Sequence, residues 1–95
     1  MISTDLMEAA KRRLRKTTTN ELDHDISQLA EFAIQDLRRI GVAESYLTDC
    51  TDPIIREAIL TYVNAMYGAN PDRAKLLEAY DMILTKIKGG RYGPN

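Results

Sequence analysis

A chain of 95 residues, 44% hydrophobic and 28% charged, has the composition of one folded domain with a modest core and not of a disordered segment. Its formal net charge of −1 excludes a global attraction to nucleic acid. The single cysteine, Cys50, excludes an internal disulfide framework and suits a reducing compartment. The first residues contain no apolar stretch of signal-peptide length, and no run approaches the ~20 apolar residues of a membrane span. The expectation is synthesis in the cytoplasm and no membrane partner. Charge is unevenly distributed: residues 1–20 carry five cations against two anions, and residues 21–50 carry seven anions against Arg38 and Arg39. Such a dipolar layout suits contact between copies.

Four helices are expected. The first runs from Thr4 to Arg15, capped by Ser3 or Thr4, with Leu6, Met7, Ala10 and Leu14 on one face. Cations gather in its last turn, where the helix dipole favours them. Thr17, Thr18 and Thr19 break it, since consecutive β-branched polar residues prefer extended chain. The second runs from Glu21 to Ile40 with Asn20 as cap. Leu22, Ile26, Leu29, Ala30, Ala33, Leu37 and Ile40 keep a 3.6-residue period, and Gly41 stops it. Val42 to Thr51 reads as a connecting loop, with Tyr46 and Leu47 tucked against the core.

The third helix is DPIIREAILTYVNAMYG, residues 52–68. Asp52 caps it, Pro53 fits its first turn and Gly68 closes it. Its clearly polar members, Arg56, Glu57, Thr61 and Asn64, fall within an arc of about 140° at 100° per residue. The remaining ~220° is apolar, wider than the ~100° stripe of an ordinary amphipathic helix. A small domain is expected to leave part of that surface uncovered, so Ile54, Ile55, Leu60, Tyr62, Met66 and Tyr67 are candidates for packing between subunits. The fourth helix starts at Asn70-Pro71, repeating the cap-then-proline device. It uses Ala74, Leu77, Tyr80, Ile83, Leu84 and Ile87, and stops at Gly89-Gly90. Residues 1–88 therefore form the helical domain, and residues 89–95 read as a flexible tail.

Chemistry-bearing residues do not converge in the sequence. His24, the single histidine, lacks a partner at metal-ligand spacing and reads as a solvated surface residue. Cys50 reads as a small loop thiol, with no feature beside it that would lower its pKa. The carboxylate pairs Asp23/Asp25 and Asp49/Asp52 are explained by helix-dipole and capping preferences. No phosphate-binding glycine pattern is present. No catalytic residue, metal or cofactor is therefore expected. Lys11, Arg12, Arg13, Arg15 and Lys16 form the strongest charge signal. They read as a solvated face balancing the acidic segment of their own or a neighbouring chain, or as phosphate contacts. Tyr62, Tyr67 and Tyr80 at helical spacing read as core or subunit-interface packing. Arg91-Tyr92 pairs a cation with a ring, a combination typical of binding residues.

The chain resembles the small head–tail connector (adaptor) proteins of long-tailed bacteriophages and prophages. The likeness covers residues 5–88: a first helix ending in Lys/Arg, a hinge, the acid-led ELDHDISQLAEFAIQDL followed by glycine, a variable loop, DPIIREAILTYVNAMYG, and LLEAYDMILTKI. D-P-x-I-x-x-A-I-x-x-Y-V is its most telling piece. The resemblance implies an all-α protomer of a closed ring of about twelve copies, located at the head–tail junction of the virion. It implies no enzymatic activity and three partners: the portal protein above, the next connector or tail-completion protein below, and packaged DNA passing without sequence specificity. It places Lys88, Arg91 and Tyr92 toward the portal. The alternative from the basic stretch 11–16 is a small DNA-binding or regulatory protein.

Overall fold

The computed structural model describes residues 3–14, 23–68 and 70–93. Among them the chain is all-helical: α1 (Thr4–Leu14), α2 (Asp23–Arg39), α3 (Glu44–Asp49), α4 (Pro53–Met66) and α5 (Arg73–Lys88). The architecture is thus five helices, not four. The expected threonine break, the Asn20 cap, Glu21 and Leu22 lie outside the described residues.

Local chemistry accounts for most helix ends. Ser3 caps α1, accepting the Leu6 N–H on its hydroxyl at 3.2 Å. The end of α2 is a Schellman motif: Val42 N–H reaches Leu37 C=O at 3.0 Å and Gly41 N–H reaches Arg38 C=O at 3.1 Å. Gly41 adopts φ +101 to allow it. The Asp52 carboxylate caps α4 by accepting from Ile54 N–H (3.0 Å) and Ile55 N–H (3.3 Å), with Pro53 in the first turn. Gly68 follows the far end of α4 in a left-handed conformation.

Two expected boundaries move. Within the stretch expected as a loop, Glu44–Asp49 forms the short helix α3, capped by no side chain and closed by Cys50 at φ 52. Asn70 does not cap α5. Its Oδ1 accepts from Asp72 N–H at 2.8 Å, its amide donates to Asn64 C=O at 2.7 Å, and the helix begins three residues later at Arg73. Arg73 turns back onto α4, donating from Nε to Ala65 C=O at 3.0 Å and from its terminal nitrogen to Gly68 C=O. Asn70 and Arg73 therefore satisfy carbonyls that the end of α4 leaves open, and they fix the α4–α5 turn.

The core sits around α4, which packs against α1, α2 and, most extensively, α5. Ile55, Ala58, Ile59, Leu60, Val63 and Ala65 are all buried, as is Thr61. Ile55, Ala58, Ile59, Leu60 and Val63 meet Leu6, Met7, Ala9 and Ala10 of α1, Ile26, Ala30, Ala33, Ile34 and Leu37 of α2, and Tyr80 and Ile87 of α5 in one cluster. Three helices cover α4 on three sides. That shelter is incomplete: Ile54 stays 42% exposed and Tyr62, Met66 and Tyr67 half-buried, so the chain itself meets the expected burial for only part of α4. Ile55 (0% exposed) and Leu60 (6%) belong to the chain's own core and are not available to another subunit.

Candidate functional site

The polar arc of α4 is the seam onto which α1 docks. Arg13, in the last turn of α1, makes a two-pronged contact with Glu57, at 3.1 Å to Oε2 and 2.9 Å to Oε1. The Thr61 hydroxyl donates to the same carboxylate at 3.2 Å. One residue nearer the start of α4, Arg56 donates to Asp5 Oδ2 at 2.9 Å. Charges of opposite sign therefore fasten α1 to α4 near each end of α1. The Arg13 contact, Coulombic attraction and the Thr61 hydroxyl hold the Glu57 carboxyl below the ordinary carboxylate range, and Arg13 is correspondingly raised.

This places part of the predicted basic site. Arg13 is engaged within its own chain, Arg12 is exposed and Lys11 is half-buried. Arg15 and Lys16 lie outside the described residues. The stretch is therefore in part an intramolecular fastener. Sequence inspection could not pair Arg13 with Glu57, because 44 residues separate them.

The predicted packing residues divide. Beyond the buried Ile55 and Leu60, Ile54 is 42% exposed, and Tyr62, Met66 and Tyr67 are half-buried. Tyr62 packs against Tyr80 with ring centroids 5.1 Å apart and the planes tilted by 49°, and Tyr80 donates its hydroxyl to Asp36 Oδ2 at 3.0 Å. This links α4, α5 and α2. Burial, then the Asp36 contact, drives the Tyr80 phenol far above its usual range. Met66 and Tyr67, with Asp25, Gln28, Leu29 and Gly68, line a shallow depression of about 400 Å³ between α2 and α4.

Two exposed apolar positions escaped the sequence reading because each sits on an otherwise polar face. Phe32, 59% exposed, lies on the outer face of α2 with Gln28 and Gln35 at helical spacing. Met82, 66% exposed, lies on the outer face of α5 with Glu78 and Lys86. A break in an otherwise polar stripe was the available signal.

His24 is exposed on α2 and does not line the small cavity that Cys50 lines with Ser3, Glu31 and Arg38. Cys50 is 4% exposed, its Sγ lies 3.4 Å from Leu47 C=O, and burial raises its pKa, the reverse of an activated thiolate. Among the described residues no group of three or more His, Cys, Asp and Glu could hold a metal ion. In the same residues no helix is long and apolar enough to cross a membrane.

Within the stretch expected as a flexible tail, residues 89–95, Tyr92 contacts the rest of the chain. Tyr92 C=O accepts from Ala43 N–H at 2.7 Å, its hydroxyl donates to Asp52 Oδ1 at 3.2 Å, and its ring meets Tyr46 edge-on at 5.0 Å. Burial, with the Asp52 contact second, raises its phenol pKa. Of the three residues expected to face a portal, Lys88 and Arg91 are exposed and Tyr92 is half-buried against its own chain. Pro94 and Asn95 lie outside the described residues. Comparison with family models, with curated proteins and with solved structures returns no match.

Proposed function

We propose that this protein is a structural subunit of a bacteriophage head–tail connector, assembling as a ring beneath the portal, extending the DNA channel and offering a docking surface to the next connector or tail-completion protein. The family resemblance across residues 5–88 supplies the reading. The observation that carries it is the placement of Phe32 and Met82, exposed on the outer faces of two different helices. A closed ring of identical subunits uses heterologous contacts, which need two different patches on each protomer. The chain buries the core face of α4 and leaves Ile54, in its first turn, exposed, so assembly acts through the outer faces of α2 and α5 and through Ile54, with the α4 core left intact.

The experiment compares the chain with its Phe32→Glu and Met82→Glu variants. Circular dichroism is expected to show all three folded alike, because neither side chain is in the core. Sedimentation with the portal protein encoded in the same genome is expected to show wild type bound as a ring and each variant lost from it. A folded variant pair that assembles as wild type does overturns the assignment of these faces. Sequence-selective DNA binding by a monomer or dimer, falling steeply with salt and lost on replacing Lys11, Arg12 and Arg13 with glutamine, would establish the regulatory alternative instead.

A further inference from the structure

One side chain near the end of the chain is held like a plug. Tyr92 is gripped at its carbonyl, its ring and its hydroxyl, by Ala43 just before α3, by Tyr46 within α3 and by Asp52 at the start of α4. On either side of the plug the strap makes few side-chain contacts: Gly90 N–H donates to Ile87 C=O at 3.0 Å, and Gly93 runs close to the Gly41 carbonyl. Gly90 and Arg91 are exposed, Gly93 follows, and a space of about 150 Å³ remains between this strap and Ile40, Val42 and Ile87. The socket, in contrast, is held together without the plug. Asp52 already caps α4 through Ile54 and Ile55, and Arg38 clamps Glu44 of α3 to α2 at 2.5 and 3.0 Å. Gly89 and Gly90 turn the chain from α5 into the strap, their N–H groups donating to Thr85 C=O at 3.2 Å and Ile87 C=O at 3.0 Å.

We propose that this socket is an exchangeable recognition site, which takes the Gly-Arg-Tyr-Gly segment of a second copy of this chain in place of its own. The occupant's chemistry is the one the socket already holds: a ring against Tyr46, a phenol O–H for Asp52 and a backbone carbonyl for Ala43. Exchange therefore creates no new contact and forfeits none, the condition under which swapping is a low-cost route to association. Tyr92 stands four residues beyond the end of α5, a reach of about 14 Å when extended, so donor and acceptor copies must lie side by side. At low concentration the tethered strap wins through its high effective concentration, and crowding of copies shifts the balance toward exchange. The inference uses residues 40–52 and 88–93 alone and stands whether or not the chain meets a portal.

The test uses full-length chains. Tyr92→Ala has a socket and no plug; Tyr46→Ala has a plug and a damaged socket. A synthetic peptide of residues 88–95 titrated into isotope-labelled Tyr92→Ala chain is expected to shift the amide signals of Ala43, Tyr46 and Asp52. Its affinity should be about tenfold or more above that for wild type, whose own strap competes. The same peptide with alanine for tyrosine should not bind. Tyr46→Ala chain added to labelled Tyr92→Ala chain should produce the same shifts. If Tyr92→Ala is unfolded, Tyr92→Phe, which keeps the ring and lacks only the hydroxyl, takes its place and should bind peptide better than wild type does. Equal peptide binding by wild type and variant, or binding by neither, overturns the socket. Peptide binding without binding of the Tyr46→Ala chain overturns the second copy as its source.

Discussion

Arg13 and Glu57 show how a surface charge becomes a fastener. The pair is partly exposed, at 34% and 48% of the side chains, so its worth is about 0.5 kcal/mol and not the several kcal/mol of a buried pair. Its sign is definite. A carboxylate with a depressed folded pKa contributes stability above its unfolded pKa and loses it as pH falls through the folded value. The stability from this pair is therefore present at neutral pH and fades below the ordinary value of 4.5. Carboxyl-detected NMR titration should place Glu57 below 4.5, and Arg13→Gln should move it most of the way back, the Thr61 hydroxyl keeping the rest. An unchanged midpoint would contradict the pairing. Tyr80 gives a second test at this scale. Its phenol should stay protonated in a spectrophotometric alkaline titration until the chain unfolds. Tyr80→Phe, which removes the contact with Asp36, should cost about 1 kcal/mol in urea denaturation. Neither pair was visible in the sequence, since each joins residues 44 apart. The Asp52 cap was visible, because it acts within three residues.

Among the helices, what could be read followed length and locality. α2 and α4 were legible because seventeen and fourteen residues sample several turns of the 3.6 period. α3, with six residues, offers fewer than two turns to a periodicity argument, and its start carries no side-chain cap. Asn70-Pro71 resembles a helix start, but the Asn70 amide is drawn to Asn64 C=O and the chain spends three more residues turning. The Gly41 stop was legible and is testable. At φ +101 an L side chain is strained, so Gly41→Ala should cost about 1–2 kcal/mol. Thermal denaturation should show the drop; an unchanged melting temperature would mean that the α2 end relaxes out of its Schellman geometry.

For the molecule as a whole, the lesson of α4 is that hydrophobic arc does not measure exposure. The ~220° apolar surface read from 54–67 is real, but α1, α2 and α5 pack over most of it, leaving Ile54 exposed, and α1 pairs with Arg56 and Glu57 of the polar arc. Small residues at Ala9, Ala10, Ala30, Ala33, Ala58 and Ala65, all buried, let backbones approach closely. The count of polar residues registers no such effect. Ile59→Ala should accordingly cost about 2–5 kcal/mol in the isolated chain at any protein concentration. The large apolar side chains left exposed among the described residues, Phe32, Met82 and Ile54, sit on three separate helices. The connector reading is tested most directly by native mass spectrometry of the full-length chain, alone and with portal rings from the same genome. A folded monomer that shifts to a closed ring of uniform copy number on the portal is the result expected. A chain that stays monomeric or dimeric with the portal present would contradict it.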